Sequence, residues 1–393
     1  ANQAPGSMAS EGKDDGSMPR KLVPKLTISE NPSEVFVVRY SPDGKLIAAG
    51  CNDGATRVYN ASNGRLQYSL NVGRKDGMPT TSVRWRPMTA ASKTKNVLLT
   101  VNSDGSCQHW HVTSGKCLHT IHDEDNQLYC VDYRNDGAVF ATAGKDKTVR
   151  IYDEATKSLA HSMSGGSANV TAGHSNRVFS LKFNPDDDNM IVSGGWDNTV
   201  QVWDVRVGHA VRCMFGPFIC GDGVDVRNGV VLTGSWRTEN MLEMWDLGKG
   251  ALMERVEWNQ SALKGETCML YAAEFSKDPA ASLIAAGGST SNMAKVFDRT
   301  RGNRIVGTIA GLSRGVFSLD WSGTEHLAVA GGDCAVRVFD VTGTAGPDVP
   351  AVGSGGGKAA GVSSGGAGSG GESKDASEAK AGESEGKGSE GKE

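Results

Sequence analysis

Apolar residues along this chain fall into many short runs with a period of two, each bounded by Gly, Pro, Asp or Asn, which predicts short strands joined by turns. Several of these runs close on an aromatic followed by a short polar residue. The pairs are Tyr59-Asn60, Trp110-His111, Tyr152-Asp153, Trp203-Asp204, Trp245-Asp246, Phe297-Asp298 and Phe339-Asp340. Their second members lie 51, 42, 51, 42, 52 and 42 residues apart, a basic repeat of 42 with insertions in alternate intervals. Internal repeats of this length mark an array of small units that bury their apolar faces against one another.

Each unit has further strand signals. An earlier strand of the form apolar, x, small, apolar, x, aromatic is seen in Val35 to Tyr40, Leu128 to Tyr133, Val178 to Phe183, Leu270 to Phe275 and Val316 to Trp321, and more weakly in Thr80 to Trp85. A second strand follows, as in Leu46 to Gly50 after the turn Ser41-Pro42-Asp43-Gly44. A turn aspartate stands seven residues before the closing polar residue at Asp53, Asp104, Asp146, Asp197 and Asp333, replaced by Glu239 and Ser291 in the fifth and sixth units.

In these features the chain resembles the WD40-repeat family over roughly Leu22 to Val341. The resemblance implies an all-β, seven-bladed β-propeller of four-stranded blades. It also implies a network of loop His, Ser or Thr, turn Asp and Trp within a blade, complete only in blade four as His174, Ser193, Asp197 and Trp203. Blades without the loop His are expected to depend more on packing. Because Phe339-Asp340 is followed by a glycine-rich stretch, the strand-like Lys21 to Ser29 is expected to supply the outer strand of blade seven and close the ring. The expected organisation is a flexible lead at 1–20, the propeller at 21–342 and a disordered tail at 343–393, whose small and charged residues offer little apolar surface to offset ordering entropy. Two Gly-Ser-Met triplets in the lead also suit a remnant of cloning.

Composition narrows the functional classes. The formal net charge is −4, without the basic footprint of a general nucleic-acid binder. No apolar stretch approaches the roughly 20 residues that span a bilayer, so membrane insertion is not expected. Eight cysteines with no CxxC pair suit a reducing, cytoplasmic setting, with nucleus and cilium left open. Gly311-Leu312-Ser313-Arg314-Gly315 has the letters of a nucleophile elbow but lies ahead of a strand where the motif needs a following helix. Cys107, His109, His111, Cys117, His119 and His122 would suit zinc by type. Cys107 and His109, however, align with Val200 and Val202 of blade four, so packing is the expectation, with no metal and no cofactor. No acids or metal ligands are expected to converge in register in the central channel.

Binding candidates cluster on the face carrying the loops that lead into the inner strands. The resemblance puts the second residue of each inner strand at the rim of the channel there. It is aromatic in five blades, Phe36, Tyr129, Phe179, Tyr271 and Phe317, with Thr81 and Asp222 in blades two and five. Strand alternation gives Phe179 a competing place on the face of Leu181 and Phe183, between blades. Trp196 and Trp236 lie in loops of blades four and five as candidate anchors. Glu34, Lys145, Arg177, Asp222 and Arg237 are candidates for reading charge. Insertions at Met163 to Gly173 and Asn259 to Thr267 fall on the same side, and Thr89 to Lys95 on the opposite one. The function this implies is a non-catalytic scaffold binding protein or peptide partners through the top face near blades four and five, the ring being monomeric within a larger complex. The alternatives are a structural subunit of a cytoskeletal or ciliary assembly, and a propeller enzyme or small-ligand binder using the central channel.

Overall fold

The computed structural model describes residues 20–71, 77–89, 94–166, 171–260 and 267–343. The expected lead and tail lie, but for Arg20 and Gly343, outside these residues, as do parts of the three insertions. The described residues form seven antiparallel sheets of four strands each. Their inner strands are Val35–Tyr40, Thr80–Trp85, Leu128–Tyr133, Val178–Phe183, Val224–Arg227, Cys268–Phe275 and Val316–Ser322. The outer strands are amphipathic or largely exposed, as in Lys116–His122 and Ala251–Arg255, because nothing packs beyond them.

The ring closes as expected. Lys21–Ile28 pairs antiparallel with Val336–Thr342, from Lys21 opposite Thr342 to Ile28 opposite Val336. Pro24 is tolerated because this is an edge strand whose ladder already shifts register there. Leu22 and Ile28 are buried, Leu22 in one cluster with Val296, Trp321 and Phe339 and Ile28 in another with Val38, Ile47 and Val338. Both clusters join residues of neighbouring sheets, so the clasp binds blade seven to blades six and one.

Within blade four His174, Ser193, Asp197 and Trp203 share one hydrogen-bonded network. His174 Nδ1 is 2.8 Å from Asp197 Oδ2 and its Nε2 2.7 Å from Ser193 Oγ, while Trp203 Nε1 donates to the same hydroxyl at 2.8 Å. Three of the blades that lack the loop His hold the turn with an ion pair instead. In blades one, three and seven the turn aspartate pairs with an arginine four residues on, Asp53 with Arg57 at 2.5 Å, Asp146 with Arg150 at 2.5 Å and Asp333 with Arg337 at 2.7 Å. A guanidinium from the next strand thus locks the turn that histidine locks in blade four.

Candidate functional site

The geometry of the top face comes from one repeated irregularity. In six blades the ladder between inner and second strands slips at the second residue: Val35/Val37, Thr80/Ser82, Leu128/Cys130, Val178/Ser180, Leu270/Ala272 and Val316/Ser318. The skipped residues are Phe36, Thr81, Tyr129, Phe179, Tyr271 and Phe317. A β-bulge leaves one residue unpaired and re-aims its side chain. Simple alternation therefore fails at this point. Leu181 and Phe183 are buried, whereas Phe179 is half-buried at the channel mouth.

The five bulged aromatics are joined by loop aromatics into one arc. In order around the ring, Tyr129 stacks on Phe179 at 4.7 Å, Phe179 meets Trp196 at 4.8 Å, and Trp196 meets Phe218 at 6.4 Å. Phe218 leads to Trp236 at 6.4 Å, Trp236 to Tyr271 at 6.3 Å, Tyr271 to Phe317 at 5.4 Å, and Phe317 to Phe36 at 5.8 Å. All eight are half-buried. The arc is interrupted at blade two, where Thr81 Oγ1 donates instead to the carbonyls of Val101 and Leu128. The indoles are held by their N–H groups, Trp196 on Cys220 Sγ at 3.0 Å and Trp236 on Ser289 Oγ at 3.4 Å.

Inside the collar lies a cavity of about 400 Å³ lined by Phe36, Tyr129, Phe179, Tyr271 and Phe317, with Cys220 and Asp222 among its remaining walls. Blade five sets its floor. Its inner strand is short, beginning only at Val224, and the preceding loop packs closely: a Cβ on Gly221 would come within 2.6 Å of the Tyr271 carbonyl oxygen, and one on Gly223 within 2.4 Å of that of Gly234. Asp222 is thereby placed where its Oδ2 pairs with Arg39 and, at 3.2 Å, with Arg84. Its Oδ1 accepts from Ser180 Oγ at 3.1 Å and lies 3.6 Å from Lys182 Nζ. One carboxylate from blade five so braces blades one, two and four.

Below this brace is the feature that the sequence reading denied, since charged side chains do converge in register. The residue before the end of the repeated inner-strand motif is Arg39, Arg84, Asp132, Lys182, Asp225, Glu274 and Asp320 in blades one to seven, and all seven line a second cavity of about 470 Å³. Three carboxylates reach the next blade and accept an amide N–H there: Asp320 from Tyr40 at 2.6 Å, Asp132 from Phe183 at 2.9 Å and Asp225 from Phe275 at 2.8 Å. Ser318 and Ser180 do the same for Val38 and Val224. These groups satisfy the open edges of strands that have no neighbour on the channel side. Burial would raise the Glu274 carboxyl, but Lys182 and Arg39 hold it down at about 2, while burial followed by Arg84 lowers Lys182 to about 8. Burial pushes Asp225 and Asp320 upward.

The expected charge readers separate into two groups. Arg237 donates to the carbonyls of Gly216 and Asn240 and pairs with Glu243 at 2.9 Å, and Asp222 is engaged in the channel, so both are committed within the ring. Arg177 lies 5.3 Å over the Trp196 ring, Lys145 is exposed, and Glu34 accepts from Asn52 at 3.0 Å. In blade two, Cys107 and His109 are buried, and His109 Nε2 lies 3.1 Å from Glu154 Oε2. That carboxylate also accepts from Tyr133 at 3.2 Å, and its other oxygen pairs with Lys157 at 2.7 Å. Ser313 is exposed in a loop leading into Val316–Ser322, with no helix after it.

Phe218 escaped the sequence reading because Gly216 to Gly223 carries no strand period; an aromatic in a long loop ahead of a short strand was the available signal.

Seven four-stranded blades closed by an N-terminal strand make a seven-bladed β-propeller. The WD domain, G-beta repeat model matches residues 115–153, 166–204 and 303–340, and the model of the anaphase-promoting complex subunit 4 WD40 domain matches residues 20–88. The chain thus carries WD40 repeats on a seven-bladed β-propeller. It is 25% identical over 171 residues to the U3 small nucleolar RNA-associated protein 21 homolog of Schizosaccharomyces pombe, covering 44% of this chain and 17% of that protein. It is 25% identical over 286 residues to the Ribosome biogenesis protein WDR12 homolog of Oryza sativa subsp. japonica, 62% of this chain and 61% of that protein. With the Target of rapamycin complex subunit LST8 of Saccharomyces cerevisiae it shares 33% identity over 113 residues, 28% of this chain and 34% of that protein. The chain thus spans less than a fifth of the fission-yeast relative. No helix among the described residues is long and apolar enough to cross a membrane.

Proposed function

We propose that this chain is a non-catalytic scaffold that binds a protein partner through its top face, with the aromatic collar as the anchoring surface. The observation that carries the reading is the bulge in six blades, which turns five rings out of the blade interior and onto one cavity. Half-buried aromatics that are already fixed by ring contacts lose little entropy on binding and are the side chains that dominate interface energies. A cavity of about 400 Å³ has the size class of pockets that take a side chain or small ligand. The propeller spans 21–342 in this reading, and the ring acts as one copy within a larger complex. Eight free cysteines support a reducing compartment such as the cytoplasm.

A channel-based enzyme or small-ligand reading gains less support. The channel charges are largely spent on one another and on the strand-edge amides, which is the work of a structural ring. The test is affinity purification from the native cell beside a Trp196→Ala, Trp236→Ala variant whose fold is checked by circular dichroism. Partners lost from the folded variant support the collar, and full retention refutes it.

A further inference from the structure

Cations stand directly beside the rings of the collar. Top-loop aspartates are locked inside their own blades, Asp53, Asp146 and Asp333 by arginine, Asp197 by His174 and Asp104 by accepting from Ser106 at 2.6 Å. Asp222 is spent on Arg39 and Arg84, and Glu34 accepts from Asn52. Three cations beside the rings have no ion-pair partner among the described residues: Lys145, Arg177 and Arg314.

Each is placed at the arc by an observed contact. The Lys145 amide donates to the carbonyl of Gln127, whose side chain accepts from the Tyr129 hydroxyl at 2.6 Å. Arg177 lies over Trp196 and is close enough to Tyr129 to act on its hydroxyl, pulling down a pKa that burial raises. Arg314 and Phe317 flank the same glycine, since a Cβ on Gly332 would sit 3.1 Å from Arg314 Cβ and 3.1 Å from Phe317 Cζ. A guanidinium lying on an indole is partly desolvated yet keeps N–H groups for a carboxylate.

Resting on the scaffold reading above, we propose that the segment seated on the collar is an acidic peptide. A large aliphatic or aromatic side chain enters the cavity, and Asp or Glu residues a few positions away meet Arg177 and Lys145 on one side or Arg314 on the other. The cations that lie against the rings favour this occupant over a basic or neutral one. Single-stranded nucleic acid would use the same chemistry of rings and cations, but it needs a continuous cationic groove along its backbone. Here three cations stand apart, and ring planes turn from 8° to 89° between neighbours.

The test is selection of a random peptide library displayed on phage against the full chain. Titrations of one selected peptide follow, against the chain, an Arg177→Glu variant and a Phe179→Ala, Phe317→Ala variant, with a ten-nucleotide uridine oligomer as competitor. The expected consensus couples an aromatic or large aliphatic residue to Asp or Glu, and Arg177→Glu weakens binding about tenfold or more, as loss of a partly desolvated charge pair does. Peptides that need the collar but show no acidic enrichment and tolerate Arg177→Glu overturn the acidic occupant and leave the scaffold reading standing. Tight competition by the uridine oligomer overturns it in favour of nucleic acid. Failure to select any peptide sensitive to the Phe179, Phe317 variant overturns both.

Discussion

Replacing Asp222 by alanine removes the one carboxylate that ties blades one, two, four and five together across the channel. The loss strands no base completely. Arg39 still donates to the carbonyls of Val38 and Leu319, Arg84 keeps Asp132 at 3.0 Å, and Lys182 keeps Glu274 at 3.9 Å. Breaking a buried pair by removing one partner costs about 3 to 5 kcal/mol, and these residual partners put the expected cost near the low end, about 3 kcal/mol. For a domain of this size that corresponds to a fall in melting temperature of about 4 °C. The assay is thermal unfolding followed by far-ultraviolet circular dichroism, with Arg39→Met alone and combined with Asp222→Ala. If the brace is real, the two substitutions are strongly non-additive, with a coupling of about 1 to 3 kcal/mol. A shift below about 1 °C, or strict additivity, refutes the cross-channel brace.

Ser193→Ala should cost about 2 kcal/mol or more in urea unfolding, because it leaves the Trp203 N–H and a His174 nitrogen buried without their shared hydroxyl. In the clasp, Leu22→Ala should cost about 2 to 5 kcal/mol, as for other buried leucines, and an unchanged melting temperature would contradict closure by Lys21–Ile28. The Glu154 carboxyl is driven up by burial but held at about 2 by hydrogen bonds from His109 and Lys157. A depressed carboxyl stabilises the fold above its unfolded pKa of about 4.5 and loses that contribution as pH falls toward 2. Glu154→Gln should therefore flatten the acid limb of a stability-against-pH curve, and an unchanged limb would count against the network.

How much of this was legible follows the physics of period two. Ring, blade number and clasp rest on apolar alternation and repeat spacing, which local chemistry imposes strongly, and the blade-four network rests on four residue types in register. Facing was harder. Alternation alone put Phe179 beside Leu181, and only the paired register of Val178 and Ser180 reveals the bulge that turns it out. Long-range partners were harder still, because Asp222 finds Arg39 and Arg84 from three different blades. Other features were readable but unread. The Asp-x-x-x-Arg spacing at Asp53, Asp146 and Asp333 announces the substitute for histidine. The charged residue preceding the inner-strand aromatic at Arg39, Arg84, Asp132, Lys182, Glu274 and Asp320 announces the channel ring, with Asp225 hidden because blade five ends on Val226 in that place.

The most direct test of the collar as the partner surface is site-specific photo-crosslinking in the native cell. The crosslinker p-benzoylphenylalanine would stand at Phe317 on the collar, at Ser322 beside the lower cavity, or at Leu118 on the exposed outer strand of blade two. The account predicts a protein adduct from position 317 and none from 322 or 118. Adducts from 322 or 118 with none from 317 would place the partner elsewhere on the ring and contradict it.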